Sequence, residues 1–202
     1  MSCYIIKDGT GTGNNAKVDK NKRLHVDSSS RTEDEQAALI GQSYNINTGT
    51  ITLTSDGTSA VCYLKYNGDQ ALVIKEILGI VGSTTGGSGD AEMKLIKNPT
   101  AGTIISGATN VTTNQNRDFS SANIFDGLAY KGSEGLTITD GVSFADTTRS
   151  SFGTTIAFDA SSIVLRKGNS IGVTFTPPSG NTSQTIKIAI TCFVETADLS
   201  QG

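Results

Sequence analysis

Few side chains in this sequence are suited to acid–base or nucleophilic chemistry, and they are widely spaced. His25 is the only histidine, and it lies between Leu24 and Val26. A hydrolytic triad that used it would need a nucleophile and an orienting acid, and the sequence contains no G-x-S-x-G motif to hold a serine on a strand-to-helix turn. We therefore interpret His25 as an ordinary half-exposed strand residue.

The cysteines do not form a recognisable metal or disulfide pattern either. Cys3, Cys62 and Cys192 are three in number, far apart and without a C-x-x-C pair, which predicts neither a disulfide framework nor a His/Cys metal centre. Cys62 and Cys192 lie in apolar, strand-like segments and are expected to be small buried side chains. This usage fits folding in a reducing cytoplasm, and we predict no metal and no cofactor.

Aspartates at turns and glycine-rich loops suggest two further chemistries, calcium or glycosidase sites and phosphate loops. The aspartates at Gly- or Asn-rich turns are Asp56, Asp69, Asp90, Asp126, Asp140, Asp146 and Asp159. Their spacing is not that of an EF-hand, and Asp is favoured at turns because it caps them. The segments 9–13 and 86–89 lack the G-K-[ST] ending and the G-x-G-x-x-G spacing of nucleotide loops. We predict no catalytic residues and no enzymatic activity; a carbohydrate-active β-sandwich enzyme is a minor alternative.

The charge pattern argues against nucleic acid and membrane partners. The net charge is −3, and only 17% of residues are charged, against about 25% in average chains. Binding to phosphates needs a concentrated basic patch. The one basic cluster, interrupted by Asp19, is Lys17, Lys20, Lys22 and Arg23. The longest apolar run, 71–81, contains Lys75 and Glu76, so we expect no membrane span, and the first residues do not predict a signal peptide.

Period-two alternation organises most of the chain and predicts antiparallel strands with one exposed face. It is clearest in residues 185–195, where Ile186, Ile188 and Ile190 share a face with Cys192 and Val194. Turn signals such as Asp56-Gly57 separate the segments. Strands are predicted at 43–47, 50–54, 59–66, 71–81, 92–96, 103–105, 154–158, 163–165, 171–176 and 185–195. The predicted fold is all-β, an antiparallel β-sandwich similar to a jelly roll.

Three details of that fold are expected from the same patterns. Strand 71–81 should be central and covered on both faces, because it is the most apolar. Strands 92–96 and 103–105 should form a hairpin around the turn at 98–102. Residues 108–152 should form a long excursion with short strands, held in place by isolated apolar side chains that include Phe119, Phe125 and Phe144.

The N-terminal residues differ from the sandwich in composition. Residues 1 to about 31 contain few apolar side chains and two short extended segments, so they cannot pack a core alone. Thr32 to Glu35 form a capping-box pattern, and Gly41 stands where a helix stop is expected. We predict an extended N-terminal arm ending in one short capped helix over 1–41, a β-sandwich domain over 42–197 and a flexible tail over 198–202.

Several motifs of the chain taken together resemble the capsid decoration proteins (also called cement or auxiliary head proteins) of tailed bacteriophages. They are residues 11–19 with Arg23, Leu24 and Val26, residues 97–105, residues 130–135, and residues 167–173 with 176–178. The likeness spans most of the chain and carries no catalytic residues. It implies a jelly-roll-like sandwich, usually a homotrimer, bound outside the capsid where major capsid protein subunits meet.

The resemblance also implies a role for the arm, which in such proteins supplies capsid or inter-subunit contacts. The candidate contact residues are Lys17, Val18, Arg23, Leu24 and Val26. The leading hypothesis is therefore a structural virion protein, made in the host cytoplasm, that binds the capsid exterior and stabilises contacts between major capsid protein subunits. The alternative is a head-fibre, tail or baseplate component that recognises the host surface through residues 108–152.

Overall fold

The computed structural model describes residues 17–18, 24–25, 32–111, 115–150 and 155–195. The chain divides into two compact units, one of Met1–Thr32 with Ala197–Gly202 and one of Glu33–Thr196. In the first unit, β1 (Lys17–Val18) pairs antiparallel with β2 (Leu24–His25). Both strands lie within the short extended segments expected from the sequence.

The second unit contains all the other described elements. In chain order they are α1 (Glu33–Leu39), β3 (Ser43–Asn47), β4 (Ile51–Leu53), β5 (Ser59–Tyr66), β6 (Leu72–Thr85), β7 (Asp90–Lys97), α2 (Thr103–Gly107), β8 (Thr109–Asn110), β9 (Gly127–Lys131), β10 (Val142–Ser150), β11 (Thr155–Leu165), β12 (Ser170–Thr176) and β13 (Ser183–Val194). Among the described residues, neither helix is long and apolar enough to cross a membrane.

The strands form two antiparallel sheets. The six-stranded sheet has the order β10-β7-β12-β5-β9-β8, and the five-stranded sheet has the order β11-β6-β13-β3, with β4 also paired to β13. Counting β3 with β4 as one interrupted strand and leaving out the inserted β8 and β9 gives eight strands. In this count the five-stranded sheet contains the first, eighth, third and sixth strands, and the six-stranded sheet contains the second, seventh, fourth and fifth. This is the strand order of a jelly roll, so the predicted antiparallel sandwich is confirmed.

The core lies between the two sheets, and the closing strand β13 is central to it. Ile186, Ile188, Ile190 and Cys192 are completely buried, as their alternation predicted. They pack with apolar side chains of β5, β6, β7 and β12 in one continuous cluster. Cys62 and Cys192 belong to this cluster as free thiols, and burial raises the pKa of each to about 12, so both thiols are neutral small hydrophobic groups.

The described strands covered on both faces include β5 and β12 but not the 71–81 segment, so the prediction that this segment would be covered on both faces was wrong. Nearly every side chain of β5 is buried. One face contributes to the main core, while Ala60 and Tyr63 pack with Ile104 of α2 in a second cluster. In β6, by contrast, buried and exposed side chains interchange, and Ile80 is 45% exposed. The long apolar run at 71–81 therefore predicted correctly that this strand lies inside a sheet, but it did not predict that part of one face is exposed.

The predicted hairpin of 92–96 with 103–105 is also wrong. β7 pairs with β10 and β12, and residues 103–107 form α2. The preceding turn is fixed by Asp140, whose carboxylate accepts hydrogen bonds from the backbone amides of Thr100 and Ala101, both at 2.8 Å. Gly102 follows with a φ of 137°, where its neighbours leave no room for a side chain. The helical turn after it directs Ile104 into the cluster on β5.

Residues 108–152 contribute more regular structure than expected. They include β8, β9 and β10, and β10 is a full strand of the jelly roll. Phe125 holds this stretch in place, because it is buried against Tyr44 and Tyr66. Phe119 and Phe144 are 99% and 56% exposed, so the prediction that they would hold the stretch in place was wrong for these two side chains.

Helix α1 and the sandwich belong to one compact unit, and this unit begins at Glu33. The sequence analysis placed the start of the sandwich domain later, at residue 42. The predicted stop at Gly41 is confirmed. Gly41 has a φ of 70°, and the amides of Gly41 and Gln42 donate to the carbonyls of Ala38 and Ala37 at 3.1 and 2.7 Å. This bonding pattern is a Schellman motif, which ends a helix by satisfying its last carbonyls.

Candidate interaction surfaces

The predicted contact residues of the arm are only partly described. Lys17 and Val18 lie in β1 and Leu24 lies in β2, with Val18 opposite Leu24 in the register. Arg23 and Val26 lie outside the described residues. The backbone pairing therefore brings two of the five predicted residues together, and their role in contacting a capsid or another subunit stays a prediction.

A loop of residues 115–126 lies beside β3, the last strand of the five-stranded sheet. Tyr44 forms an isolated antiparallel bridge with Asn116. The backbone amide of Asn45 donates to the carbonyl of Gln115 at 2.9 Å, and the backbone amide of Arg117 donates to the carbonyl of Ser43 at 2.8 Å. The loop therefore continues the hydrogen bonding of the sheet at this edge.

Side-chain hydrogen bonds hold this loop in one conformation. The Asp118 carboxylate accepts from the backbone amide of Ser120 at 2.9 Å and from its hydroxyl at 2.6 Å. These bonds lower the pKa of Asp118 and keep it ionised. The buried amide of Asn116 donates to the carbonyl of Gly41 at 2.6 Å. The loop is thus fixed to the C-terminal end of α1.

An ionic cluster centred on Asp34 provides a second connection between α1, the sheet and the loop. Asp34 of α1 is 7% exposed. It accepts from Arg117 at 2.5 Å, from Ser43 at 3.3 Å and from the ammonium group of Lys75. Arg117 also donates to the Ser43 hydroxyl at 3.1 Å. Three separate parts of the chain therefore meet at one carboxylate.

Apolar side chains are exposed around this anchored loop, and we call them the corner patch. They are Leu39 at 58%, Ile40 at 50%, Phe119 at 99% and Ile124 at 67% exposure. The Asn123 side chain, next to Ile124, donates to the carbonyl of Gly41 at 3.2 Å, which places the loop residues beside the end of α1. Contiguous exposed apolar groups mark interaction sites, and aromatic residues contribute much of the binding energy there.

A cavity with both apolar and polar lining residues lies at the other side of the sandwich, where β10 and β11 end the two sheets. It has a volume of about 170 Å³. It is lined by Leu95, Ile96, Lys97, Asn98, Phe144, Ile163, Val164, Leu165, Asn169 and Ile171. The register between β10 and β7 shifts between Ser143 and Ala145, so that Phe144 is the extra residue of a bulge. Bulges redirect side chains, and Phe144 lines the cavity while 56% exposed.

Sequence reasoning placed the loop 115–126 within the candidate recognition stretch 108–152 but expected Phe119 to hold that stretch in place, and it did not predict the cavity. Phe119 stands alone among polar residues, where an aromatic side chain has no partner to bury it, and this was the one available signal. The cavity combines residues from four strands that are distant in sequence, so no local pattern pointed to it. In the part of the chain that the structure describes, His, Cys, Asp and Glu do not gather in groups of three or more that would suit a metal ion.

Comparison with known proteins adds little to this geometry. No family model and no curated protein matches the chain. Among solved structures, similarity was found to a chain of the 2.6 Å structure of T=1 particles derived from infectious bursal virus. That match is 9% identical and covers 90% of this chain and 44% of the other, so this chain spans less than half of its length, and the TM-score is 0.19. A TM-score this low supports no inference about fold or function.

Proposed function

We propose that this protein is a structural, non-enzymatic component of a tailed-phage virion that binds the outside of the capsid and stabilises contacts between major capsid protein subunits. In this proposal the sandwich is a rigid body that assembles with other copies of itself, as a homotrimer, and the N-terminal arm contacts the capsid. Neither nucleic acid nor a membrane takes part, and no cofactor is required.

The observation that carries the proposal is that residues 33–196 provide a complete jelly roll. Both sheets, the main core cluster and the second cluster around Ile104 are built from this unit. Residues Met1–Thr32 belong to a different compact unit. Among the described residues, the two core clusters contain none from the arm, which supports the binding role that the family resemblance implies for it.

The alternative role in host recognition receives less support from the same structure. It requires residues 108–152 to project from the sandwich as a recognition surface. Much of that stretch is instead occupied by β9 and β10, which are hydrogen-bonded to β5 and β7 within the six-stranded sheet. The exposed apolar groups of the stretch lie either in the loop 115–126, which is held against α1, or on β10, where Val142 and Phe144 are part of the sheet.

Deletion of residues 1–31 is expected to abolish capsid binding and leave the sandwich folded. Binding would be measured by co-sedimentation of purified protein with expanded capsids that lack it. We expect the affinity to fall by about 100-fold or more, because a homotrimer multiplies each arm contact through avidity. Circular dichroism and thermal melting would report whether the β-sandwich of the truncated chain is intact.

Two matched variants sharpen this test. Deletion of residues 198–202 removes the other chain end and should leave binding unchanged. The full-length double variant Val18→Asp with Leu24→Asp keeps the arm but changes two predicted contact residues, and it should lose binding as the truncation does. Full binding by the folded truncated chain would show that the arm is not the capsid contact.

A further inference from the structure

We propose that copies of this chain associate head to tail, with Phe119 of one copy inserted into the β10–β11 cavity of the next. The inference deepens the self-assembly part of the proposed function by naming the two surfaces involved. Its test uses the protein alone in solution, so that it fails or succeeds separately from capsid binding.

The two surfaces lie at opposite edges of the sandwich. The cavity is lined by Phe144 of β10 and by Ile163 to Leu165 of β11, which are the end strands of the two sheets on one side. Phe119 lies in the loop beside β3, the end strand on the other side. A side chain at one edge cannot fill a cavity at the opposite edge of its own molecule, so a contact between Phe119 and this cavity requires a second copy.

Phe119 and the cavity are matched in size and in the apolar side chains that they present. Phe119 is 99% exposed, the highest exposure among the large apolar side chains described. The cavity volume is about 170 Å³, and its walls include seven apolar side chains of β7, β10, β11 and β12. An apolar cavity of roughly 150 Å³ in another protein is known to hold a benzene ring. The volume of this cavity is therefore large enough for a phenyl group, which would cover Phe144 and Val164, 56% and 46% exposed.

The charges beside Phe119 and at the edge of the cavity are opposite in sign. Asp118 precedes Phe119, and hydrogen bonds from Ser120 hold its carboxylate on the surface. Lys97 lines the cavity and is exposed, and the salt bridges of the described residues do not include it. Insertion of Phe119 would bring this carboxylate toward this ammonium group. Complementary rim charges fix the register of an interface and increase its association rate.

The loop that carries Phe119 is also organised before binding. Asn116 donates to the carbonyl of Gly41, and Arg117 is bonded to Asp34 and Ser43. A side chain presented by a rigid loop loses less conformational entropy on association. Because the two surfaces differ, the contact is heterologous; it generates a closed ring, such as the proposed homotrimer, where the rotation between copies closes, and an open filament where it does not.

Matched alanine variants test the contact. The wild-type protein should self-associate in analytical ultracentrifugation, and Phe119→Ala should raise the dissociation constant about 30-fold or more, the effect of losing a hot-spot residue. Ile80→Ala removes an apolar side chain that is 45% exposed on β6 and should leave association unchanged. A wild-type protein that is monomeric at every concentration, or unchanged association of Phe119→Ala, would overturn the proposal.

Mixing two defective variants tests the head-to-tail geometry. Val164→Glu blocks the cavity and keeps Phe119, whereas Phe119→Ala keeps the cavity. At a concentration between the dissociation constants of the wild type and of the variants, each variant alone should be monomeric, and their mixture should form a dimer and no larger species, because only one intact contact can form. Circular dichroism checks that both are folded, and Lys97→Glu, at an exposed position, serves as a second cavity-side variant that should weaken association. A mixture that stays monomeric would refute the head-to-tail contact.

Discussion

Gly132→Ala is expected to destabilise the sandwich by about 3 kcal/mol or more. Gly132 follows β9 at the point where the chain crosses β5. A Cβ atom added there would lie 1.8 Å from the carbonyl oxygen of Ala60 and 2.7 Å from the Cα of Val61. Both neighbours are backbone atoms of a buried strand, so no side-chain rotation can relieve the overlap. The backbone of β9 or β5 must move, with loss of hydrogen bonds between them.

Gly107→Ala is the matched control for this substitution. Gly107 is the last residue of α2, and a Cβ atom there meets nothing within 4 Å. Alanine in a helix is favoured over glycine by about 0.5–1 kcal/mol, so this variant should be as stable as the wild type or slightly more stable. Urea unfolding followed by circular dichroism measures both. Equal stability of the two variants would contradict the close packing of Gly132 on β5.

Asp34→Asn is expected to reduce the free energy of unfolding at neutral pH by about 1–3 kcal/mol. Asp34 is 7% exposed and accepts hydrogen bonds from Ser43, Lys75 and Arg117. The amide of asparagine cannot replace the ionic part of these contacts. The effect is smaller than for a fully buried ion pair, because the side chains of Lys75 and Arg117 are 52% and 38% exposed and water screens their charges.

The same substitution should alter how stability depends on pH. Burial by itself would raise the pKa of Asp34, but the hydrogen bond from Lys75 and the charges of Arg117 and Lys75 outweigh that effect and lower the pKa below its ordinary value of 3.8. A carboxyl group with a lowered pKa in the folded state stabilises the fold above its ordinary pKa, and this stabilisation is lost as the pH falls through the lowered value. The difference between wild type and Asp34→Asn should therefore shrink on acidification below about pH 4.

Asp69→Asn is the control for this pH effect. Asp69 pairs with Lys167 at 2.5 Å, but its side chain is 88% exposed, and exposed pairs contribute little to stability. Its unfolding curve should follow that of the wild type from neutral to acidic pH. If Asp34→Asn behaved in the same way, the ionic cluster would not hold α1 and the loop on the sandwich.

The elements predicted well from the sequence are those whose alternation is uninterrupted. β13 and β5 have the predicted bounds within one or two residues, and the inward face of β13 was read correctly from Ile186 to Val194. The stop at Gly41 followed from the conformational freedom of glycine after a helix. These features depend on local spacing and on backbone geometry, which a single sequence contains.

The features that were missed depend on contacts between distant residues. α2 forms because Asp140 fixes the turn before it and because Ile104 packs on β5. β10 was hidden in an irregular stretch, since its alternation is limited to Val142 and Phe144 around Ser143, and residues 146–150 are all polar. The exposed position of Phe119 follows from the hydrogen bonds of Asn116 and Arg117. Their partners are Gly41, Ser43 and Asp34, which precede them in the chain by 74 to 83 positions.

The copy number of this chain relative to the major shell protein in purified particles tests the central claim most directly. Quantitative mass spectrometry of intact particles would supply the ratio. We predict a value near one copy per shell subunit, or one trimer at each local three-fold axis, because a protein that stabilises subunit contacts must occupy them throughout the shell. A handful of copies per particle would contradict this account and assign the chain to a fibre, neck or tail, and complete absence from particles would refute the virion role.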